Sequence, residues 1–264
     1  AERYLIRAQS LYGGDVNSAY RLGQLYRAKG NFDQASFWFL GALNLDHQAM
    51  HIHKELQFTR VSDDLLPDLV TFYSKLCNRY PHRALLGQLH SNYLMLSGNS
   101  SAAIYESRRA ARLELGSRIN RLEDHRAEPT PPDFLVAGVP KGGTTSVFSW
   151  LSQIQGLWCH PRKELNFFND HYMNGEAWYC AQFPRFKDEG INSILRGEAS
   201  PGYFNHPEAA QRIASTMPKA KVIILLRNPL ARALSWVQHL QRLEGLQGNP
   251  SQWLEWELNQ LESL

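Results

Sequence analysis

Two glycines set the folding problem for the first half of this chain. Gly30 is followed by Asn31-Phe32-Asp33-Gln34-Ala35, and Gly98 by Asn99-Ser100-Ser101-Ala102-Ala103; they lie 68 positions apart, two periods of 34. An apolar stripe keeps the same phase. Leu22, Gly23 and Tyr26 precede the first turn, and Phe32, Ala35, Phe39, Ala42 and Leu43 follow it. Leu66, Leu69, Tyr73 and Leu76 fall at the matching offsets of a middle period, whose turn is expected at Asp64. Apolar residues at i, i+3, i+7 and i+10 form one face of a helix, so each period predicts two amphipathic helices around a short turn. Such a unit cannot bury its apolar face alone and must stack on its neighbours. Gly23 and Ala42 are small where the paired helices have to cross closely.

Over roughly residues 17–116 this pattern resembles the tetratricopeptide repeat. The first unit carries it best, through Leu22, Gly23, Tyr26, Ala35, Phe39 and Ala42; the middle unit is degenerate, and a third starts near Ala84. Residues 1–12 read as the second helix of an earlier unit. The resemblance implies a concave scaffold, which either binds a protein partner or packs only against the neighbouring domain. His47, His51 and His53 cluster near a repeat junction and read as surface histidines rather than as a metal site.

Residues 117–126 read as a charged helical tail. Pro129, Pro131 and Pro132 then break any helix, since proline lacks the N–H and clashes with the preceding turn. The expected organisation is therefore a tetratricopeptide-like helical domain over 1–126, a proline-rich linker over 127–132 and an α/β domain over 133–264. Hydrophobic residues make up 43 % of the chain, enough for a real core. A net charge of +3 makes no case for nucleic acid but suits an anionic ligand. Cys77, Cys159 and Cys180 have neither disulfide nor zinc spacing and read as free thiols of a reducing compartment. No apolar run reaches the ~18 residues of a membrane span, and no signal-peptide pattern opens the chain. A cytoplasmic protein is the expectation, in a chain that starts within helix-like sequence as a fragment would.

The chemistry is concentrated after the prolines. Phe134–Val139 is a short apolar run that predicts a buried parallel strand; Pro140-Lys141-Gly142-Gly143-Thr144-Thr145-Ser146 follows, and a helix starts near Val147. Strand, glycine loop and helix make an anion cradle. The glycines let the backbone approach, the helix start supplies N–H groups and a favourable dipole, Lys141 adds charge, and Thr144, Thr145 and Ser146 add hydroxyls. Gly138 and Gly143 fit G-x-x-x-x-G, but Thr144 stands where a Walker loop needs lysine, which speaks against an ATPase or GTPase. A second strand is expected over Val222–Leu226, again buried. Arg227 stands at its C-terminal edge, where open α/β sheets bind ligands, and Asn228-Pro229 turns into a helix bearing Ser235.

Pro-Lys-Gly-Gly-Thr-Thr-Ser resembles the 5′-phosphosulfate loop of sulfotransferases that use 3′-phosphoadenosine 5′-phosphosulfate (PAPS). The strand–Arg227–x–Pro229–helix–Ser235 arrangement resembles their 3′-phosphate site. The resemblance implies a P-loop-like α/β sulfotransferase fold with a parallel sheet. It also implies a PAPS site built from Lys141, Gly142, Gly143, Thr144, Thr145, Ser146, Arg227 and Ser235, with no metal. Glu164 lies three residues before Phe167-Phe168, the position of the catalytic base in heparan-type and related bacterial members. With Lys141 it is the expected catalytic pair. Trp178-Tyr179, Gly197–Phe204 and Ser235–His239 extend the likeness to heparan N-sulfotransferases, and His239 is a weaker candidate for the acceptor cleft.

This sequence departs from that pattern in three ways. Ala199 stands where heparan enzymes place a helper lysine, which leaves Lys141, Arg162 and Lys163 as candidates for the positive charge. The sequence also ends some 132 residues into the expected domain, and the disulfide-bearing C-terminal part of the Golgi enzymes is not seen in it. Two competing readings remain at this point. One is a repeat-based adaptor with a degenerate sulfotransferase domain, and the other a P-loop kinase. The acceptor, whether glycan, protein or small molecule, is left open.

Overall fold

The sequence period becomes a period of helices. The computed structural model describes residues 2–11, 14–57, 59–115, 128–186 and 194–244, with 249, 251, 252 and 255. After α1 (Glu2–Leu11), the first helices of three successive pairs are α2 (Val16–Ala28), α4 (Met50–Gln57) and α6 (Ala84–Leu96). Their partners are α3 (Phe32–Leu45), α5 (Leu66–Arg79) and α7 (Ser100–Leu113).

The Gly-Asn pairs explain the sharp turns. Gly30 and Gly98 adopt positive φ, 73° and 82°, which glycine tolerates without steric cost. Gly30 N–H donates to the Arg27 carbonyl and Asn31 N–H to that of Tyr26; Gly98 and Asn99 repeat the pattern on Met95 and Leu94. This is a Schellman C-cap. The same asparagines then cap the next helix, their side chains accepting from Gln34 N–H and Ala102 N–H. One Gly-Asn step thus ends one helix and starts another. The middle unit has Asp64 and Leu65 at these positions. There α4 stops early at Gln57, and Leu65 precedes α5 without a side-chain cap.

Small residues let the pairs close. A Cβ built on Gly23 would lie 2.5 Å from the Phe39 ring, so only glycine lets α2 and α3 meet here. Leu22, Ala35, Phe39, Ala42, Leu69 and Tyr73 are all fully buried. The histidines differ from expectation. His51 is exposed, but His53 is buried, its ring nitrogens bonded to Tyr73 Oη (2.9 Å) and the His47 carbonyl (3.0 Å). His53 therefore belongs to the stacking interface. The charged tail expected over 117–126 lies outside the described residues.

The α/β half runs β1 (Phe134–Gly138), α8 (Thr144–Leu151), β2 (Leu157–Cys159), a 3₁₀ turn (Tyr172–Asn174), α9 (Glu176–Cys180) and β3 (Leu195–Ala199). A second 3₁₀ turn (Pro201–Asn205), α10 (Ala209–Thr216), β4 (Lys221–Ile224) and α11 (Pro229–Glu244) complete it. The four strands are parallel, in the order β2-β3-β1-β4. β1 is buried throughout, as its apolar run requires. The expectation of a buried second strand is corrected: β4 pairs with β1 but is the edge of the described sheet. Val222 is 46 %, Ile224 50 % and, beyond the strand, Leu226 77 % exposed.

The proline segment is clamped to this sheet. Buried Arg196 on β3 donates to the carbonyls of Thr130 (3.2 Å) and Pro131 (2.8 Å) and, through Nε, to Asp133 (3.1 Å). The two halves also share a core. Leu94, Ala103 and Leu115 pack in one cluster with Phe167, Phe168, Trp178, Tyr179 and Phe183. Trp178 Nε1 donates to Ser91 Oγ (3.1 Å), which in turn bonds the Ala103 carbonyl and Ser107 Oγ, both at 2.7 Å. At the other end, α11 passes close to α2. No helix of the described residues is long and apolar enough to cross a membrane.

Trp178→Ala is expected to cost about 3–5 kcal/mol, the usual range for emptying a large buried site. In a urea titration the far-UV helical signal and the fluorescence of the remaining tryptophans should shift to lower urea together. A helical signal that kept its wild-type midpoint would show that the shared core does not couple the halves.

Candidate active site

The glycine loop forms an open cradle at the C-terminal end of β1. Gly142 is packed so tightly that a Cβ there would sit 2.8 Å from the Val139 carbonyl oxygen and 2.9 Å from that of Leu225. Gly143, with φ 97°, precedes α8. Ser146 and Val147 N–H both turn back to the Gly143 carbonyl, whereas the N–H groups of Gly143, Thr144 and Thr145 make no hydrogen bond among the described residues. Unbonded donors at a helix start are what an anion needs. The end of β4 holds the loop in place. Val139 N–H donates to the Leu225 carbonyl and Leu225 N–H to that of Gly138, both at 2.9 Å. Arg227 Nη1 donates to the Lys141 carbonyl (3.0 Å). The two motifs found separately in the sequence therefore meet at one sheet edge.

A second loop, His160–Phe168, approaches the cradle from β2. Among the described residues, three non-glycine positions have positive φ: Lys141 (64°), Glu164 (64°) and Asn166 (53°). Such backbone costs energy and persists where surrounding bonds over-determine it, commonly at functional sites. Lys141 and Glu164 are the two residues expected to be catalytic. The bonds that hold the second loop come from β3 and the turn after it. Glu164 N–H donates to the Ala199 carbonyl (2.8 Å), Asn166 N–H to Ser200 Oγ (3.0 Å) and Phe167 N–H to Tyr203 Oη (3.0 Å).

Those hydroxyls are themselves ordered by Glu198. Ser200 Oγ (2.7 Å), Tyr203 Oη (2.6 Å) and Tyr179 Oη (3.1 Å) all donate to its carboxyl group, which is fully buried. Burial pushes the Glu198 pKa up, against hydrogen bonds from Tyr203, Ser200 and Tyr179 and the charge of Arg162. Sequence reasoning saw Glu198 only as part of a family likeness. Its signal was an acidic residue inside a strand, with hydroxyl side chains two and five positions on.

Arg162 carries the helical array into this site. The side-chain amide of Gln57, the last residue of α4, lies against the guanidinium; assigned with its oxygen on that side, as the two facing donors require, it accepts from Nε at 3.0 Å and Nη2 at 2.7 Å. Burial lowers the Arg162 pKa to about 10, with Tyr93 of α6 and Glu198 opposing the shift. Next along the chain, Lys163 Nζ reaches Thr145 Oγ1 (2.7 Å), Thr144 Oγ1 (3.5 Å) and Glu164 Oε1 (3.1 Å). Lys163 thus joins the two loops, and the structure brings Glu164 to the same place as Lys141–Ser146 and Arg227. Ser235 and His239 sit half-buried on α11, one turn apart, with the His239 ring 5.8 Å from that of Trp236.

One group of metal-ligand type lies away from this site. Cys77, His90 and Glu106 gather within 4.8 Å in the helical half, where Arg109 Nη2 (2.7 Å) and Nε (3.1 Å) already bind Glu106.

A family model described as sulfotransferase domain matches residues 131–262, half of the chain. The membrane-associated sulfotransferase kil1 of Dictyostelium discoideum is 38 % identical over 130 residues, covering 49 % of this chain and 27 % of that protein. Bifunctional heparan sulfate N-deacetylase/N-sulfotransferase 4 of Mus musculus is 40 % identical over 114 residues, 41 % of this chain and 13 % of its own. Heparan sulfate glucosamine 3-O-sulfotransferase 6 of Homo sapiens is 36 % identical over 119 residues, covering 44 % and 32 %. The chain thus spans less than a third of each of these relatives. A crystal structure of a sulfotransferase from Alicyclobacillus acidocaldarius is 32 % identical and covers 51 % of this chain and 60 % of its own, at a TM-score of 0.41.

Two outcomes follow from the buried polar groups. Burial lowers the His160 pKa from 6.5 to about 3, so the unfolded chain takes up this proton well before the folded one does. Stability should therefore fall as pH drops from 6.5 towards 3 and be indifferent to His160 above 6.5. Thermal melts between pH 4 and 8 should show a shallower acid limb for His160→Gln; an unchanged limb would contradict this. Gln57→Leu strands the Arg162 donors and should cost about 1–3 kcal/mol in urea, whereas Gln57→Glu, which keeps an acceptor, should cost less.

Proposed function

The chain belongs to the sulfotransferase family, and from that premise we propose that its α/β half transfers a sulfuryl group from PAPS to an acceptor hydroxyl or amine, releasing adenosine 3′,5′-bisphosphate. The observation that carries this reading is the cradle: Gly142 leaves no room for a side chain, and three adjacent N–H groups at the start of α8 make no hydrogen bond among the described residues. These features suit a doubly substituted phosphate, which accepts hydrogen bonds and carries negative charge. PAPS, when bound, supplies an activated sulfur whose leaving group is a phosphate oxygen.

The chain's own groups divide the remaining work. The N–H groups of Gly143, Thr144 and Thr145, with Lys141, stabilise charge as it builds on the leaving oxygen; donors already in place need no reorganisation at that moment. Arg227 and Ser235 take the 3′-phosphate and fix the direction of attack. Glu164 accepts the acceptor's proton as its oxygen or nitrogen bonds to sulfur. Its left-handed backbone and its bond to the Ala199 carbonyl hold it there. His239 lines the acceptor side. The helical half is read as tetratricopeptide-like, on the strength of its 34-residue helix-pair period and Gly-Asn turns, with a surface for a protein partner.

Calorimetric titration should show adenosine 3′,5′-bisphosphate binding, with ATP far weaker. Lys141→Ala should weaken that binding at least tenfold, the scale of one lost charge-assisted contact of about 1.5–3 kcal/mol. A preference for ATP would sink the assignment in favour of a phosphoryl transferase. Glu164→Gln should lower turnover about 10²–10⁴-fold while leaving bisphosphate affinity intact; full turnover in that variant would remove Glu164 as the base.

A further inference from the structure

Transfer of a sulfuryl group needs positive charge beside its oxygens, and β3 brings none. Ala199 is fully buried and offers the site only its carbonyl, which accepts from Glu164 N–H at 2.8 Å. Lys163 is the side chain placed to supply the charge. Its Nζ lies 2.7 Å from Thr145 Oγ1, 3.5 Å from Thr144 Oγ1 and 3.1 Å from Glu164 Oε1. The shortest of these bonds is to the cradle, eighteen residues back in the chain, and not to the adjacent glutamate. An incidental pair of neighbouring surface charges would not reach across to another loop. The side chain is also held, only 24 % exposed against 42 % for Glu164.

The positions of these oxygens give Lys163 its meaning. The threonines start α8, at the N–H groups that make no hydrogen bond among the described residues and that the reading above gives to the leaving phosphate. The Glu164 carboxylate stands where the acceptor loses its proton. In an in-line displacement the leaving oxygen, the sulfur and the incoming atom are collinear, so a group moving from cradle to acceptor passes between these two ends. The Lys163 ammonium occupies that interval.

We propose that Lys163 is a catalytic residue facing the transferring sulfuryl group, an inference that rests on the PAPS reading above. The ammonium stays protonated throughout. No bond to it forms or breaks, and its three N–H donors are shared among the sulfuryl oxygens, Thr145 and Glu164. It stabilises charge on the sulfuryl oxygens and keeps the base aimed at the acceptor.

Two ligands that differ only in the sulfuryl group provide the test. The whole chain, as wild type, Lys163→Ala and Lys163→Arg, is titrated calorimetrically with adenosine 3′,5′-bisphosphate and separately with PAPS. Lys163→Ala should bind PAPS about tenfold or more weakly, the effect of one lost hydrogen bond to a charged group, while bisphosphate affinity changes less than about twofold. Lys163→Arg should recover most of the PAPS affinity. Single-turnover transfer should fall about 10²-fold in Lys163→Ala, in keeping with a lost preorganised donor. Equal loss of both ligands would overturn the proposal, since Lys163 would then only shape the cradle; loss of neither would overturn it too. If Lys163→Ala does not fold, as judged by circular dichroism, Lys163→Met keeps the length of the stem and carries the same test. Failure of the wild type to bind either ligand would instead overturn the PAPS reading itself.

Discussion

A carboxyl group without access to water organises the catalytic half. Glu198 lies inside β3, where a charge costs several kcal/mol unless it is compensated. Three hydroxyls satisfy it, and two of these, on Ser200 and Tyr203, also accept N–H groups of the loop that bears Glu164. Desolvation of one acidic side chain is thereby converted into the position of another. The positive φ of Asn166 is sustained by the bond to Ser200, and that of Glu164 by its own N–H bond to the Ala199 carbonyl. Replacing the hub with an apolar residue would leave the hydroxyls without an acceptor and the loop without its register.

The helical half is part of this arrangement as well as a neighbour to it. Its last pair contributes Leu94 and Ala103 to the aromatic core under the loop, and Ser91 accepts the indole N–H of Trp178. Gln57, at the end of the shortened helix of the degenerate middle unit, meets Arg162. The unit with the weakest repeat signal is therefore the one that reaches the residues beside the proposed base. Departure from the repeat pattern at Asp64 and Leu65 fits this: without a Gly-Asn turn α4 ends early, and the contact with Arg162 is made at its end.

Much of this was legible from the sequence, for local reasons. The period, the Gly-Asn turns and the cradle rest on interactions between residues close in the chain, so spacing alone announced them. The glycine loop and Arg227 were read as two parts of one ligand site, but the bond from Arg227 to the Lys141 carbonyl was not foreseen. The inward turn of His53 was not seen, because burial there depends on Tyr73 from the next pair. The exposure of β4 was missed because an apolar run reads the same at an edge as in the middle of a sheet. Glu198 had a local signal in Ser200 and Tyr203 but was read only as family likeness, whereas the tie between Gln57 and Arg162 was invisible because the two residues are distant in sequence and meet only in three dimensions.

The clamp of Arg196 on the proline segment has a consequence for how the helical array is presented. A flexible tether delivers a bound group as a cloud of positions, and its local concentration falls as the tether lengthens. Here Thr130, Pro131 and Asp133 are fastened to the sheet, and the shared core fastens the array to the same body. The array is then held at a fixed offset from the cradle. The spacing between array and cradle is thus a property of the fold and not of a linker.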